Sequence, residues 1–317
     1  MAIDHDFDFD PTYGYTLEEL LQVGAPDEPE DYTLFWEGIH ARALDIPLKL
    51  SCEEVESPNP DYKLFEIEYD SWGNVRAGGW LTVPVDGKLS NAVVVGHGYG
   101  GREAPDFGQP VESAACIYPC ARGFHRSAHP DYPGEGHQHV MLGLEDRATY
   151  SHLGSVVDYW LAASAVLELY PQLSDRLFYS GGSFGGGIGA LMLAWDKRFK
   201  KAYLNIPSFG NHPLRVQLPC VGSGQAIQEH YHAGNQDILK VLQYFDAATA
   251  AQHVTIPVFV AAATFDPAVP PPGQFAVYNA LAGPKELFIR QAAHFDLAGN
   301  EHDDAAVHTR LRRWFRD

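Results

Sequence analysis

The chain has 317 residues, 45% of them hydrophobic, and a formal net charge of −19 at pH 7. That composition suits a soluble globular protein with a full core, long enough for one large domain or two small ones. The charge argues against nucleic acid or an anionic membrane surface as a partner, because phosphates are repelled. The N-terminus lacks the basic and apolar regions of a secretory signal, and no apolar stretch is long enough to span a bilayer. Four cysteines (Cys52, Cys116, Cys120 and Cys220) make no disulfide framework in a chain of this size, so a reduced, cytoplasmic setting is expected. The spacing of Cys116 and Cys120 matches zinc knuckles poorly.

Much of the acid lies early. Asp4, Asp6, Asp8, Asp10, Glu18, Glu19, Asp27, Glu28, Glu30 and Asp31 all precede the first lysine or arginine, Arg42. This stretch reads as a solvated arm. Leu34, Phe35, Trp36, Ile39 and Ala43 fall near helical spacing and predict a helix over 31–45. Residues 62–69 alternate apolar and polar side chains, 71–74 form a turn, and 75–83 return as a strand. Residues 91–96 are short and apolar, as a buried parallel strand requires. A strand at 113–118 leads into a Gly-, Pro- and His-rich excursion over 121–148. Helical periodicity then covers 150–169, a strand 176–180, a helix 184–195 and a strand 201–206. The last part reads as helix 238–251, strand 255–262, helix 273–281, strand 286–290 and an amphipathic helix 303–315. Strands alternating with helices predict βαβ units and a mostly parallel sheet, an α/β fold. We read residues 1–60 as an arm and helical extension packing on one catalytic domain, residues 61–317.

One stretch carries chemistry. A short apolar strand runs into Gly181-Gly-Ser-Phe-Gly185 and then into an apolar helix. That is the setting of a G-x-S-x-G nucleophile elbow, in which Ser183 sits on a sharp turn with its hydroxyl exposed. A serine hydroxyl needs a base. In α/β-hydrolases the acid and then the histidine follow the serine along the chain. Asp266 and His294 each follow a predicted strand in that order, so both fall at the sheet edge where α/β active sites lie. Asp296, Asp303 and Asp304 come after the histidine and fit the order less well. An oxyanion hole needs backbone N–H groups. The N–H of Phe184 and that of Tyr99, in the HGGG-like run His97-Gly-Tyr-Gly-Gly101, are the expected donors.

These motifs, with Leu17-Glu-Glu-Leu20, Phe35-Trp36, Gly78-Gly-Trp-Leu81, Gly98-Tyr-Gly-Gly-Arg102, Arg122-Gly123, Asp131-Tyr-Pro133, Tyr244-Phe-Asp246, Tyr278-Asn279 and Gly283-Pro-Lys-Glu286, resemble the acetyl xylan esterase and cephalosporin C deacetylase family of α/β-hydrolases. The resemblance implies Ser183 as nucleophile, Asp266 as acid and His294 as base, with Tyr99 and Phe184 at the oxyanion hole. It also implies deacetylation of small acetylated sugars and related esters without a metal or other cofactor, and a homo-oligomer in the form of a ring-like hexamer. The chain departs from the family at Phe124 and Phe184, where the family carries glutamine. Tyr99, Phe124, Phe184 and Phe295 are therefore expected to touch the substrate and make the pocket more apolar.

His125, His129, His137 and His139 have spacings that could share a metal, but their Pro- and Gly-rich setting reads as solvated loop. Two rival functions remain. One is a prolyl-oligopeptidase-like amidase, which ordinarily needs a gating domain for which the chain has no room. The other is a non-catalytic hydrolase-fold protein used for binding.

Overall fold

Short apolar runs build the centre of the molecule. The computed structural model describes residues 3–316. Its strands are β1 (Ser51–Val55), β2 (Tyr62–Asp70), β3 (Arg76–Pro84), β4 (Asn91–Gly96), β5 (Ala114–Pro119), β6 (Leu177–Gly182), β7 (Phe199–Asn205), β8 (Val258–Ala263) and β9 (Lys285–Arg290). They form one sheet in the order β1-β2-β3-β5-β4-β6-β7-β8-β9. Strands β1 to β3 pair antiparallel, β3 pairs antiparallel with β5, and β5 through β9 run parallel. Every residue of β4, β5 and β8 is buried, as expected of strands covered on both faces.

Helices cover the sheet from both sides. Trp36, Trp160, Ile188, Ala248 and Phe275, from five helices, share one core with Val94 and Val260 of the sheet. On the other face Val307, Leu311 and Phe315 recur at a spacing of four on helix Asn300–Arg316 and pack with Val93, Phe178 and Phe259.

The long periodic elements fall close to where the sequence puts them, and several segments differ. Strand β1 is absent from the sequence reading because Glu53 and Glu54 lie on an exposed edge and weaken its pattern. It pairs with β2, so the boundary at residue 60 falls within a hairpin of the main sheet. Helix Ser223–His232 also went unread. The single helix expected over 238–251 is broken at Asp246, which is extended (φ −82°, ψ 117°). Its buried carboxylate accepts the N–H groups of Asn211, His212, Ala248 and Thr249, and these tertiary bonds replace a helical turn.

The acidic arm is not simply solvated. From Ile3 to Asp10 the four aspartates are exposed, while Ile3, His5, Phe7 and Phe9 are half-buried against the body.

Candidate active site

Strand β6 ends at Gly182, and helix Phe184–Leu193 starts one residue after Ser183. Ser183 sits between them at φ 53°, ψ −115°, a conformation an L-residue holds only under constraint. The constraint is visible. The Ser183 N–H donates to Asn205 O at 2.9 Å, and Ser183 O accepts from Gly187 and Ser208 at 3.0 and 3.1 Å. The flanking glycines are needed for space. A Cβ on Gly181 would lie 2.5 Å from the Tyr179 hydroxyl, and one on Gly185 would lie 2.8 Å from His97 O.

Asp266 follows β8 and His294 follows β9. The His294 Nε2 lies 3.1 Å from Ser183 Oγ, and its Nδ1 lies 2.8 Å from Asp266 Oδ2. Serine, imidazole and carboxylate thus form one hydrogen-bonded line. Asp266 is fully buried, while the His294 side chain is 28% exposed. Burial pushes the imidazole pKa down, but the hydrogen bond and charge of Asp266 outweigh it, and the net pKa is raised above the ordinary 6.5. Two backbone N–H groups, of Ala268 and Val269, donate to Asp266 Oδ1, each at 2.9 Å. Buried Gln274 donates from Nε2 to Asp266 Oδ2 at 2.9 Å and to Val269 O at 2.7 Å, and accepts the Ala263 N–H at 2.8 Å. Sequence reasoning missed Gln274. Its position eight residues past the acid, in the first turns of the next helix, was the available signal.

The loop after β4 faces the serine. A Cβ on Gly98 would lie 4.0 Å from Ser183 Cβ, and the Gly185 N–H donates to His97 O at 2.9 Å. The loop is fixed by His97, whose Nδ1 donates to Gly98 O at 2.6 Å and whose Nε2 accepts the Ala121 N–H at 2.9 Å. Burial drives its pKa down to about 3, so the ring is neutral and holds this tautomer. The Phe184 N–H, at the first position of its helix, has no carbonyl one turn before it in the helix and is free for an incoming oxygen.

Phe184, the residue after the serine, belongs to an aromatic floor. The rings of Tyr99 and Phe184 stack at 4.3 Å, with Phe124 6.2 Å from Phe184. The Tyr99 hydroxyl meets His152 Nε2 at 2.7 Å and His139 Nδ1 at 3.4 Å. Burial lowers the pKa of both imidazoles, to about 4 for His139. His139 is therefore fully buried rather than a solvated loop histidine, whereas His125 and His137 are exposed. Phe124 and Phe184 are 2% and 0% exposed. Their rings fill this floor and are not presented on an open wall. Tyr99 and Phe295 are half-buried and nearer the surface. Arg122, two residues before Phe124, makes a buried ion pair to Asp158, with Nη2 to Oδ1 at 2.7 Å and Nε to Oδ2 at 3.0 Å.

A cleft of about 390 Å³ lined by Tyr62, Phe107, Cys116 and Tyr118 opens at the opposite end of the strands from these residues and contains none of them. Among the described residues no group of three or more His, Cys, Asp or Glu side chains is placed to hold a metal, and no helix is long and apolar enough to cross a membrane.

A mixed sheet with flanking helices and a strained serine at a strand–helix turn define an α/β-hydrolase. Residues 13–312 match the family described as Acetyl xylan esterase (AXE1), and the chain belongs to that family. It is a carboxylic ester hydrolase. An acetyl esterase of Xylanibacter ruminicola is 21% identical over 313 residues, covering 91% of this chain and 68% of that protein. Among solved structures, an acetyl xylan esterase from Paenibacillus sp. R4 superposes with a TM-score of 0.81 at 24% identity, covering 93% of this chain and 99% of its own. Acetyl xylan esterase 1 from a Thermoanaerobacterium species has a TM-score of 0.81 at 18% identity, covering 96% and 99%. At these identities the two structures speak for the fold.

Proposed function

We propose that the protein removes acetyl or other short acyl groups from small acetylated sugars or related esters, through a Ser183–His294–Asp266 triad and an acyl-enzyme. The observation that carries this reading is the unbroken hydrogen-bonded line from Ser183 Oγ through His294 to buried Asp266. His294 takes the serine proton as Oγ attacks the ester carbonyl. The N–H groups of Phe184 and Tyr99 receive the oxyanion. The alcohol leaves with the proton from His294. Water, activated by the same imidazole, then releases the acid and restores Ser183. Asp266 fixes the imidazole with its proton on Nδ1 and stabilises the cation that forms. No cofactor takes part in these steps.

A short acyl group is favoured by the bulk beside the nucleophile: the Phe184 ring, on the residue after Ser183, stacks on Tyr99 and packs near buried Phe124. The names of the relatives support acetyl esters of sugars. The ring-like hexamer implied by the sequence belongs to the same proposal, and sedimentation of the full chain gives its mass.

The test is hydrolysis of p-nitrophenyl acetate, butyrate and octanoate, with Ser183→Ala as the blank. A Ser183-dependent rate that falls steeply with acyl length is expected, followed by activity on acetylated sugars. A rate rising with length contradicts the acyl preference. Cleavage of aminoacyl amides without ester hydrolysis would return the amidase reading.

A further inference from the structure

The matched family span begins at residue 13, and the segment before it has a pattern of its own. Its sequence, Ile3-Asp-His-Asp-Phe-Asp-Phe-Asp10, alternates strictly, and the structure shows the consequence of that period of two. One side carries Asp4, Asp6, Asp8 and Asp10, all exposed; the other carries Ile3, His5, Phe7 and Phe9, all half-buried. The buried side lies on the two loops that supply the acid and the base. The His5 ring is 5.4 Å from that of Phe265, the residue before Asp266. The Phe7 ring is 6.0 Å from that of Phe295, the residue after His294. Phe265 and Phe295 touch each other at 5.1 Å, so the arm spans a pair of rings that join the loops. Further on, buried Pro11 accepts the backbone N–H of Asp266 itself at 3.1 Å. Phe9 then stacks on Tyr13 at 5.9 Å, and the Tyr13 hydroxyl donates to Pro219 O at 2.7 Å, which anchors the far end.

Within the loops, only a few bonds fix the two side chains to each other. Besides the Phe265–Phe295 ring contact, the Ala293 N–H donates to Phe265 O at 2.9 Å, Thr264 donates from its N–H to Arg290 O at 3.1 Å and from Oγ1 to Gln291 O at 3.2 Å, and Asp266 meets His294. His294 sits at φ 46°, a strained conformation that neighbouring structure must hold.

We propose that residues 3–13 are a strap that keeps the Asp266 and His294 loops in register, with His5, Phe7 and Pro11 as positioning residues for the reaction. The inference rests on the triad reading above. The strap acts on the geometry of the acid and base and leaves the oxyanion loop, on the other side of Ser183, untouched. Its loss therefore lowers turnover and leaves substrate affinity nearly unchanged. It also loosens Asp266 from His294. The imidazolium is then less stabilised, and the acidic limb of kcat/KM moves to lower pH. Asp266 is the charged group that raises His294; the arm's aspartates face solvent, and His5 faces Phe265.

The test compares the full chain with Phe7→Ala, His5→Ala, a variant lacking residues 1–8, and the outward-facing control pair Asp6→Asn and Asp8→Asn. Hydrolysis of p-nitrophenyl acetate is followed against pH, with thermal unfolding alongside. Displacements of about 1 Å at reacting groups cost up to about 100-fold. The strap predicts a drop in kcat of about tenfold or more without residues 1–8, a smaller drop for Phe7→Ala, KM within about twofold, and an acidic limb shifted down. The controls keep the parent kcat. If the shortened chain does not fold, Phe7→Ala and His5→Ala decide the matter. Parent kcat and an unmoved acidic limb in the folded arm variants overturn the strap, even where their melting temperature falls. Absence of any Ser183-dependent hydrolysis in the full chain is a different failure: it refutes the triad reading, and the strap with it.

Discussion

Replacing Asp266 by asparagine removes one charge and almost no volume, yet the structure predicts a large loss. Four donors converge on the carboxylate: the Ala268 and Val269 N–H groups on Oδ1, Gln274 Nε2 on Oδ2, and His294 Nδ1 on both, nearer to Oδ2 (2.8 Å) than to Oδ1 (3.0 Å). An asparagine has one oxygen to offer. The two backbone donors cannot turn away, so the amide oxygen takes the Oδ1 place and the NH₂ takes that of Oδ2. Gln274 is held by its own bonds to Ala263 and Val269 and cannot swap its ends without breaking both. The NH₂ group therefore faces His294 Nδ1 as a donor. The imidazole answers by moving its proton to Nε2, where it can no longer accept from Ser183. The base is lost along with the charge that stabilised its cation. Such a change of tautomer in a serine triad costs about 10³- to 10⁴-fold in kcat, or roughly 4–5.5 kcal/mol. The assay is steady-state hydrolysis of p-nitrophenyl acetate by parent and Asp266→Asn, with circular dichroism to show that both are folded. A kcat within about tenfold of the parent, or a loss confined to KM, would refute this account of Asp266.

Three other outcomes follow from the same geometry. Because His294 must be neutral to accept the serine proton, and its pKa is raised, kcat/KM should climb with pH through a limb above 6.5; a limb below that value contradicts the Asp266 contact. Gly154→Ala would ordinarily favour a helix by about 1 kcal/mol. Here its Cβ would stand 2.1 Å from Arg122 Cζ, so displacing the guanidinium from Asp158 should lower stability by about 3–5 kcal/mol in chemical denaturation; a stabilised variant refutes the packing described. Finally, the burial of His97, His139, His152 and His212 depresses each pKa, to about 3 for His97 and His212 and about 4 for His139. Unfolding then takes up protons below pH 6.5, so the stability these groups hold above that pH is lost as pH falls, by about 2 kcal/mol per histidine at pH 5. Asp246, raised to about 6 by burial, works in the opposite direction and offsets part of this. Denaturant midpoints measured from pH 7 to pH 5 should fall; constant midpoints refute the burial of the four rings.

The parts that were legible in the sequence are those fixed by local pattern. Residues 91–96 and 255–262 read as short, mostly apolar strands, and β4 (Asn91–Gly96) and β8 (Val258–Ala263) form there, each buried along its whole length. Order along the chain and position after strands single out Ser183, Asp266 and His294, and the fold brings them within hydrogen-bonding distance. What escaped was set by distant contacts. Helical periodicity continues through Asp246, but the backbone there bends to donors more than thirty residues away in Asn211 and His212. Phe124 and Phe184 sit beside chemistry-bearing residues in the chain, yet their size and polarity send the rings inward. His139 lies in a polar stretch, and only packing against Tyr99 and Phe124 shows that it is buried. The arm was different: its alternation was present in the sequence, and reading only its charge hid the apolar side.

The central claim is that Ser183 is an activated nucleophile, and covalent capture tests it most directly. The protein is treated with a fluorophosphonate, and the adduct is located by peptide mass mapping. The account predicts one adduct per chain on Ser183, none in Ser183→Ala, and much slower labelling in His294→Ala. No labelling of the folded protein, or labelling at Ser183 that His294→Ala leaves at full rate, would contradict it.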